Sequence, residues 1–238
     1  MNELIFLDTE TTGNVIGTDR LCQVSYAAGD TIRTEYFKPP LPVSVKSSSI
    51  THITNKMLAD KPPFSGSAMA KELAAILKKG ILVAHNAKFD ISMLEAEKIS
   101  VPRFICTLRM ARYLDRDDKI PEYGLQFLRY FLDLDIPKHT HAHDAEGDVI
   151  VLRALFGRLL AKMAEETGSE KTAIETMVEI SKNPVILRRL NFGKYKDKSF
   201  EDVLAADRQY LEWLLRTKVE GKDNDEDLVY TLKHHLGR

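Results

Sequence analysis

The chain is poor in cysteine, carries almost no net charge and has no long hydrophobic run, and each shortage removes a class of protein. Cys22 and Cys106 stand alone, too few for a disulfide framework or a cysteine-based zinc site. The expectation is two buried free thiols in a reducing cytoplasm. No apolar stretch reaches the ~18 residues of a bilayer-spanning helix, so no membrane partner is expected. Met1-Asn2-Glu3-Leu4 lacks the basic region that opens a secretory signal. Lysine and arginine number 34 against 35 aspartates and glutamates, a formal net charge of −1. Nothing global therefore pulls the chain towards a polyanion; any such attraction is local or carried by metal. Internal repeats and long low-complexity runs are also missing. What remains is an ordinary globular composition, 44% hydrophobic and 29% charged over 238 residues, long enough for one large domain and a small one.

Leu4 to Asp8 is a short continuous apolar run, the mark of a central strand buried on both faces. Leu21 to Ala28 reads as a second strand, and Gly29-Asp30 as a tight turn. Thr31 to Phe37 alternates as the other arm of a hairpin that Lys38-Pro39-Pro40 ends. Helical periodicity follows at 67–79, where Met69, Leu73, Ile76 and Leu77 form one stripe. Ile81 to Ala84 is another buried strand, 90–98 a helix, Phe104 to Cys106 a fifth strand. Helices are expected at 107–114, 125–132 and 144–162. A three-strand meander followed by alternating strands and helices implies a mixed α/β sheet. The polar run Glu165-Glu166-Thr167-Gly168-Ser169-Glu170 marks a domain boundary. The expected division is residues 1–166, a helical linker 167–184, and a C-terminal α+β module 185–238.

Acidic residues gather where these elements end. Asp8-Thr9-Glu10 closes the first strand, and residues two apart on a strand project to one face, so both carboxylates can reach one ion pair. Strand ends are a usual place for sites in open α/β sheets; a solvated acidic pair is the plainer reading of this segment taken alone. Asp90 closes His85-Asn86-Ala87-Lys88-Phe89-Asp90 at a helix start, where a carboxylate also suits the helix dipole. His143 precedes Asp148 in His143-Asp144-Ala145-Glu146-Gly147-Asp148, again at a helix start. Asp144 and Glu146 read as the acidic first turn of that helix. His139-x-His141-x-His143 has a chelating spacing, but a histidine site explains none of the acidic segments. Four carboxylates suit hard divalent cations, which take oxygen ligands and keep positions open for phosphate oxygens.

In order, spacing and flanking residues, these three segments resemble the motifs of the DEDDh (DnaQ-like) 3′→5′ exonucleases. The resemblance implies an RNase H-like mixed five-stranded sheet flanked by helices. It implies that Asp8, Glu10, Asp90 and Asp148 hold two Mg²⁺ or Mn²⁺ ions, and that His143 is the general base. It places Thr11, Thr12, Asn86 and Phe89 near the terminal nucleotide. Ile50-Thr51-His52-Ile53-Thr54 is similar to a segment in which relatives carry a substrate-facing histidine; here Thr51 takes that place and His52 is displaced by one. The implied product is a nucleoside 5′-monophosphate, and the implied partner is DNA, from single strands or duplex ends. RNA stays open as a substrate, since nothing in the motifs reads a 2′-hydroxyl. A homodimer stays open too, because related nucleases form them. So does a catalytically idle binding protein on the same fold, against which the intact set of five residues argues.

Asn191-Phe192-Gly193-Lys194-Tyr195-Lys196-Asp197-Lys198-Ser199, with Tyr210-Leu211-Glu212-Trp213-Leu214, resembles the C-terminal region of the exodeoxyribonuclease X branch of that family. Aromatics interleaved with lysines offer ring faces and positive charge to single strands, which makes Lys194, Tyr195 and Lys196 candidate accessory contacts. The competing reading puts the aromatics on the core side of a small hairpin. Ser199-x-x-Asp202 has the form of a capping box. Trp213, on an apolar helix face, is expected in the core.

Overall fold

The structure is a computed structural model that describes residues 3–137, 144–221 and 225–238. Its centre is a five-stranded sheet, β1 (Leu4–Thr11), β2 (Leu21–Ala28), β3 (Thr31–Tyr36), β4 (Ile81–Ala84) and β5 (Phe104–Cys106), in the order β3-β2-β1-β4-β5. β1 pairs antiparallel with β2 and parallel with β4, while β5 extends the parallel side. The mixed sheet expected of the family is thus formed, with β1 at its centre.

Side-chain alternation along β1 sorts residues to two cores. Ile5 and Leu7 join Val24, Tyr26, Leu82 and Ala84 under α2 (Ala68–Leu77) and α3 (Ala87–Ala96), whose Leu73, Leu77, Met93 and Leu94 are buried there. Leu4 and Phe6 face the other way, with Ile81, Val83 and Ile105. That side is covered by α4 (Thr107–Leu114), α5 (Leu125–Phe131), α6 (Ala145–Thr167) and α7 (Glu170–Lys182). Phe6 meets Phe156 of α6 edge-on at 5.3 Å.

Several boundaries move for identifiable reasons. α3 begins at Ala87, earlier than the pattern suggested, because Asn86 takes a left-handed conformation (φ 62°) that turns the chain straight from β4 into the helix. α6 continues to Thr167, since Leu159 and Met163 stay buried on the sheet side. The polar run read as a boundary is therefore the end of α6, with Gly168 (φ 82°) as its left-handed cap and Ser169 capping α7 through the Thr172 N–H. The stretch expected as a linker is helical, and its Ala173, Met177 and Val178 are packed in the second core. A short helix that no apolar periodicity announced, α1 (Val45–Thr51), is anchored on the end of β1: Ser47 Oγ donates to the Thr11 carbonyl at 2.6 Å and Ser44 N to the Thr12 carbonyl at 3.0 Å.

The C-terminal module consists of α8 (Phe200–Ala206), α9 (Arg208–Glu220) and α10 (Glu226–Leu236) around Leu190, Phe200, Leu211, Leu214, Leu228 and Leu232. Among its described residues the strand content is one bridge between Arg189 and Ser199, so in place of the expected α+β character helices close over a turn. Gly193 (φ 72°) and Asp197 (φ 65°) take left-handed conformations there, which fold the stretch read as a hairpin into a compact turn.

A buried charge network seats the module on the sheet domain. Asp227, at the start of α10, accepts from Arg109 Nε at 2.9 Å, Arg112 Nη1 at 2.6 Å and the Val185 N–H at 3.1 Å. Arg189 adds a grip on the Asp118 carboxylate and carbonyl.

Candidate active site

Asp8 and Glu10 share the β1 face of Leu4 and Phe6, which looks towards α6. The first turn of α6 carries Asp148 to meet them. One ligand oxygen from each of Asp8, Glu10 and Asp148 lies within 4.8 Å of the others. Asp90 arrives from the opposite layer. Thr9, between the two acids and on the other face, donates Oγ1 to Asp90 Oδ1 at 2.7 Å, and Asp90 is the strongest charged neighbour raising Asp8. The four carboxylates therefore flank one strand end from both layers of the sheet. β1 carries an irregularity at this point: Glu10 pairs with Gln23 but Thr11 with Leu21, a bulge of the kind that re-aims a strand end.

The electrostatics of the cluster are one-sided. Burial, followed by the charges of Asp90, Asp148, Glu10 and Asp144, holds the Asp8 carboxyl well above the usual carboxylate range. Burial, Asp148, Asp90 and Asp144 push Glu10 up to about 8. Asp90 is pushed up to about 7 by burial, against the lowering effect of Thr9. Among the described residues, every influence resolved on Asp8 and Glu10 raises them, with no basic side chain opposing. Such a donor set is all oxygen, negatively overcharged and held in place, the composition that hard divalent cations satisfy.

Two glutamines outside the motifs hold this arrangement. Gln126 of α5 donates Nε2 to Asp148 Oδ1, leaving the second oxygen of that carboxylate to other partners. Gln23, opposite Glu10 on β2, donates to Asp144 Oδ1 at 2.8 Å and accepts from the Ala145 N–H at 3.3 Å, fixing the N-terminus of α6. Asp144, read as a first-turn acid, is its N-cap residue and contributes charge to the cluster. His85 is structural: half-buried, pushed down to about 4 by desolvation, with Nε2 donating to the Tyr123 carbonyl at 2.8 Å and Nδ1 3.0 Å from Thr107 Oγ1. Gln126 had no sequence signal, whereas Thr9 had one in its alternation with Asp8 and Glu10.

The remaining candidates divide. Asn86 and Phe89 line a groove of about 760 Å³ together with Lys46, Lys88, Val15 and Ile16, its far wall made by Arg109, Arg112 and residues 225–227. The Thr11 and Thr12 hydroxyls are taken up within the fold, by the Gly13 carbonyl at 2.6 Å and Asp19 Oδ1 at 2.7 Å, and so are their carbonyls, by Ser47 Oγ and Ser44 N. Thr51 ends α1, its Oγ1 accepting from the Ile53 N–H at 3.2 Å. His143, with His139 and His141, lies outside the described residues.

Residues 5–156 match the family described as Exonuclease. The chain belongs to the exonuclease family. Residues 190–218 of this exonuclease match a second family, the Exodeoxyribonuclease X-like C-terminal. Exodeoxyribonuclease 10 of Escherichia coli K12 is 29% identical to the exonuclease over 236 residues, 98% of each chain. DNA polymerase III subunit epsilon of Treponema pallidum is 31% identical over 173 residues, covering 68% of this chain and 78% of its own. Among solved structures, Exonuclease X in complex with 5′ overhanging duplex DNA superposes with a TM-score of 0.58 at 26% identity, over 75% of this chain and 99% of that one.

Proposed function

We propose that this exonuclease is a metal-dependent 3′→5′ enzyme that shortens DNA from single-stranded or duplex ends and releases nucleoside 5′-monophosphates. The observation that carries the reading is the meeting of Asp8, Glu10 and Asp148 within 4.8 Å, with Asp90 held beside them by Thr9. DNA is favoured as substrate because a relative matched along nearly the whole chain is named an exodeoxyribonuclease, and a similar structure holds duplex DNA.

Asp8, Glu10, Asp90 and Asp148 would hold two ions, Mg²⁺ or Mn²⁺. Such a pair supplies charge neutralisation on the scissile phosphate and an acidified water. The protein's own part is positional. Thr9 fixes one oxygen of Asp90 and favours its ionised form, and Gln126 fixes one oxygen of Asp148. His143 is assigned the general base, since a neutral imidazole can take the proton of an attacking water. The terminal nucleotide is assigned to Asn86 and Phe89 in the groove, and to the neighbourhood of Thr11, Thr12 and Thr51. The catalytic domain is taken as residues 1–166 and the C-terminal module as 185–238. The buried free thiols of Cys22 and Cys106 suit a reducing cytoplasm.

The test uses 5′-labelled single-stranded DNA and RNA of one sequence, with Mg²⁺, with EDTA, and with Asp8→Ala. A ladder shortening from the 3′ end, dependent on metal and lost in Asp8→Ala, is expected, with DNA degraded faster than RNA. Cleavage that survives EDTA, or no cleavage of either polymer with Mg²⁺ or Mn²⁺, would overturn the reading.

A further inference from the structure

The C-terminal module exposes an indole that the carboxylate site does not use, backed by two half-buried tyrosines. Trp213, expected in the core, is 51% exposed, while Leu211, Leu214 and Leu215 of the same helix are buried. Its ring lies 5.6 Å from Tyr210, tilted by 39°, and Tyr210 meets Tyr195 edge-on at 5.0 Å. Lys194 Nζ sits 4.7 Å over the Tyr195 ring, and Lys196 and Lys198 are exposed on the same turn.

The array is locked in place. Tyr195 Oη donates to Asp207 Oδ2 at 2.9 Å, and Asp207 caps α9 by accepting the Tyr210 N–H. Gly193 is required at the centre: a Cβ there would come within 2.6 Å of Tyr210 Oη. The module is itself fastened to the catalytic body through Asp227, Arg109 and Arg112. The open indole is thereby held at a set distance from the carboxylates.

We propose that Trp213, with the Lys194–Lys198 turn, is a second, non-catalytic platform that binds single-stranded nucleic acid, stacking bases on the indole and attracting phosphates to Lys196 and Lys198, while Lys194 is held by Asp207 at 3.2 Å. The inference rests on the nucleic-acid substrate of the proposed function. Aromatic faces rimmed by cations are the recognition chemistry of single strands, sequence-tolerant because every base has a π-face. Held on the same body as the active site, the platform raises the local concentration of the strand being shortened. The gain applies only to strands long enough to span both.

The chain holds one tryptophan, so its fluorescence reports this place alone. Titration of the full-length protein in EDTA with oligothymidylates of about 4 to 16 nucleotides or more should give saturable quenching by the longer strands. Salt should weaken that quenching, and so should the double variant Lys196→Ala/Lys198→Ala. In steady-state assays Trp213→Ala should raise KM for long strands by roughly 5- to 100-fold, with kcat and dinucleotide hydrolysis unchanged. No emission change at saturating oligonucleotide, or a wild-type KM in Trp213→Ala, would overturn the platform. Quenching in a protein that degrades neither DNA nor RNA would keep the platform and sink the proposed activity. Degradation without quenching would do the reverse.

Discussion

Replacing a proposed metal ligand should make this protein more stable, provided no metal is present. Asp90 is 4% exposed and is pushed to about 7, roughly three pH units above an ordinary carboxylate. At 1.36 kcal/mol per pH unit, ionising it inside the fold costs about 4 kcal/mol. Glu10, pushed to about 8, and Asp8, held well above the usual carboxylate range, bear related costs. These overlap, since each carboxylate is raised partly by the others. Asp8→Asn keeps the shape and removes one charge, relieving about 2 kcal/mol by that reasoning. The sign follows from linkage: folded-state values lie above unfolded ones, so the wild type keeps its full stability below about pH 4 and loses it as pH rises through about 7 to 8. In EDTA at pH 8, Asp8→Asn should melt about 4–8 °C above wild type, taking about 2–4 °C per kcal/mol for a chain of this size. At pH 5 the difference should shrink to about a third of that or less. Saturating Mg²⁺ should reverse the ranking, because ion binding stabilises the state that binds it. Thermal unfolding followed by circular dichroism across pH 5 to 8.5 checks all three points. A wild-type Tm that is level or rises with pH in EDTA, or an Asp8→Asn protein no more stable at pH 8, would refute the electrostatic argument.

Three further perturbations probe the supports. Thr9→Val removes the donor to Asp90 and should move the acidic limb of the pH–rate profile up by about one unit, the equivalent of one charged hydrogen bond; an unmoved limb would separate Asp90 from the rate. Gln126→Met should weaken Mn²⁺ binding about 10- to 100-fold, as losses beside a ligand do, measured by calorimetry on the protein without substrate. Asp227→Ala strips the buried Arg109 and Arg112 of their shared partner and should lower Tm by about 10 °C. A change under about 2 °C would mean that Asp225 and Glu226 suffice to compensate both arginines.

Strand β1 shows how much was legible beforehand. Its apolar run, its acidic end and the hairpin after it are local patterns, and local patterns carry strand character and face alternation. Asp8 and Glu10 could be placed on one face from their spacing alone. Asp90 and Asp148 could be placed at helix starts, because a carboxylate in a first turn has its own local signature. The C-terminal module was less legible. Lys194, Lys196 and Lys198 alternate as strand residues do, yet Gly193 and Asp197 turn the chain through left-handed conformations and the segment closes on α9 instead. Trp213 sits on a helix with enough leucines to suggest a core, but the three buried leucines leave no room on that side for the indole.

Sequence alone determined the family and the order of the five strands, and it singled out the four carboxylates proposed as ligands, since each is written in neighbouring residues. The tertiary structure decided what surrounds them. Thr9 reaches Asp90 across 81 positions of chain, Gln126 reaches Asp148 across 22, and Arg109 reaches Asp227 across 118. Such contacts depend on how two layers pack over one sheet, and a glutamine or threonine bears no local mark of the partner that packing will bring to it.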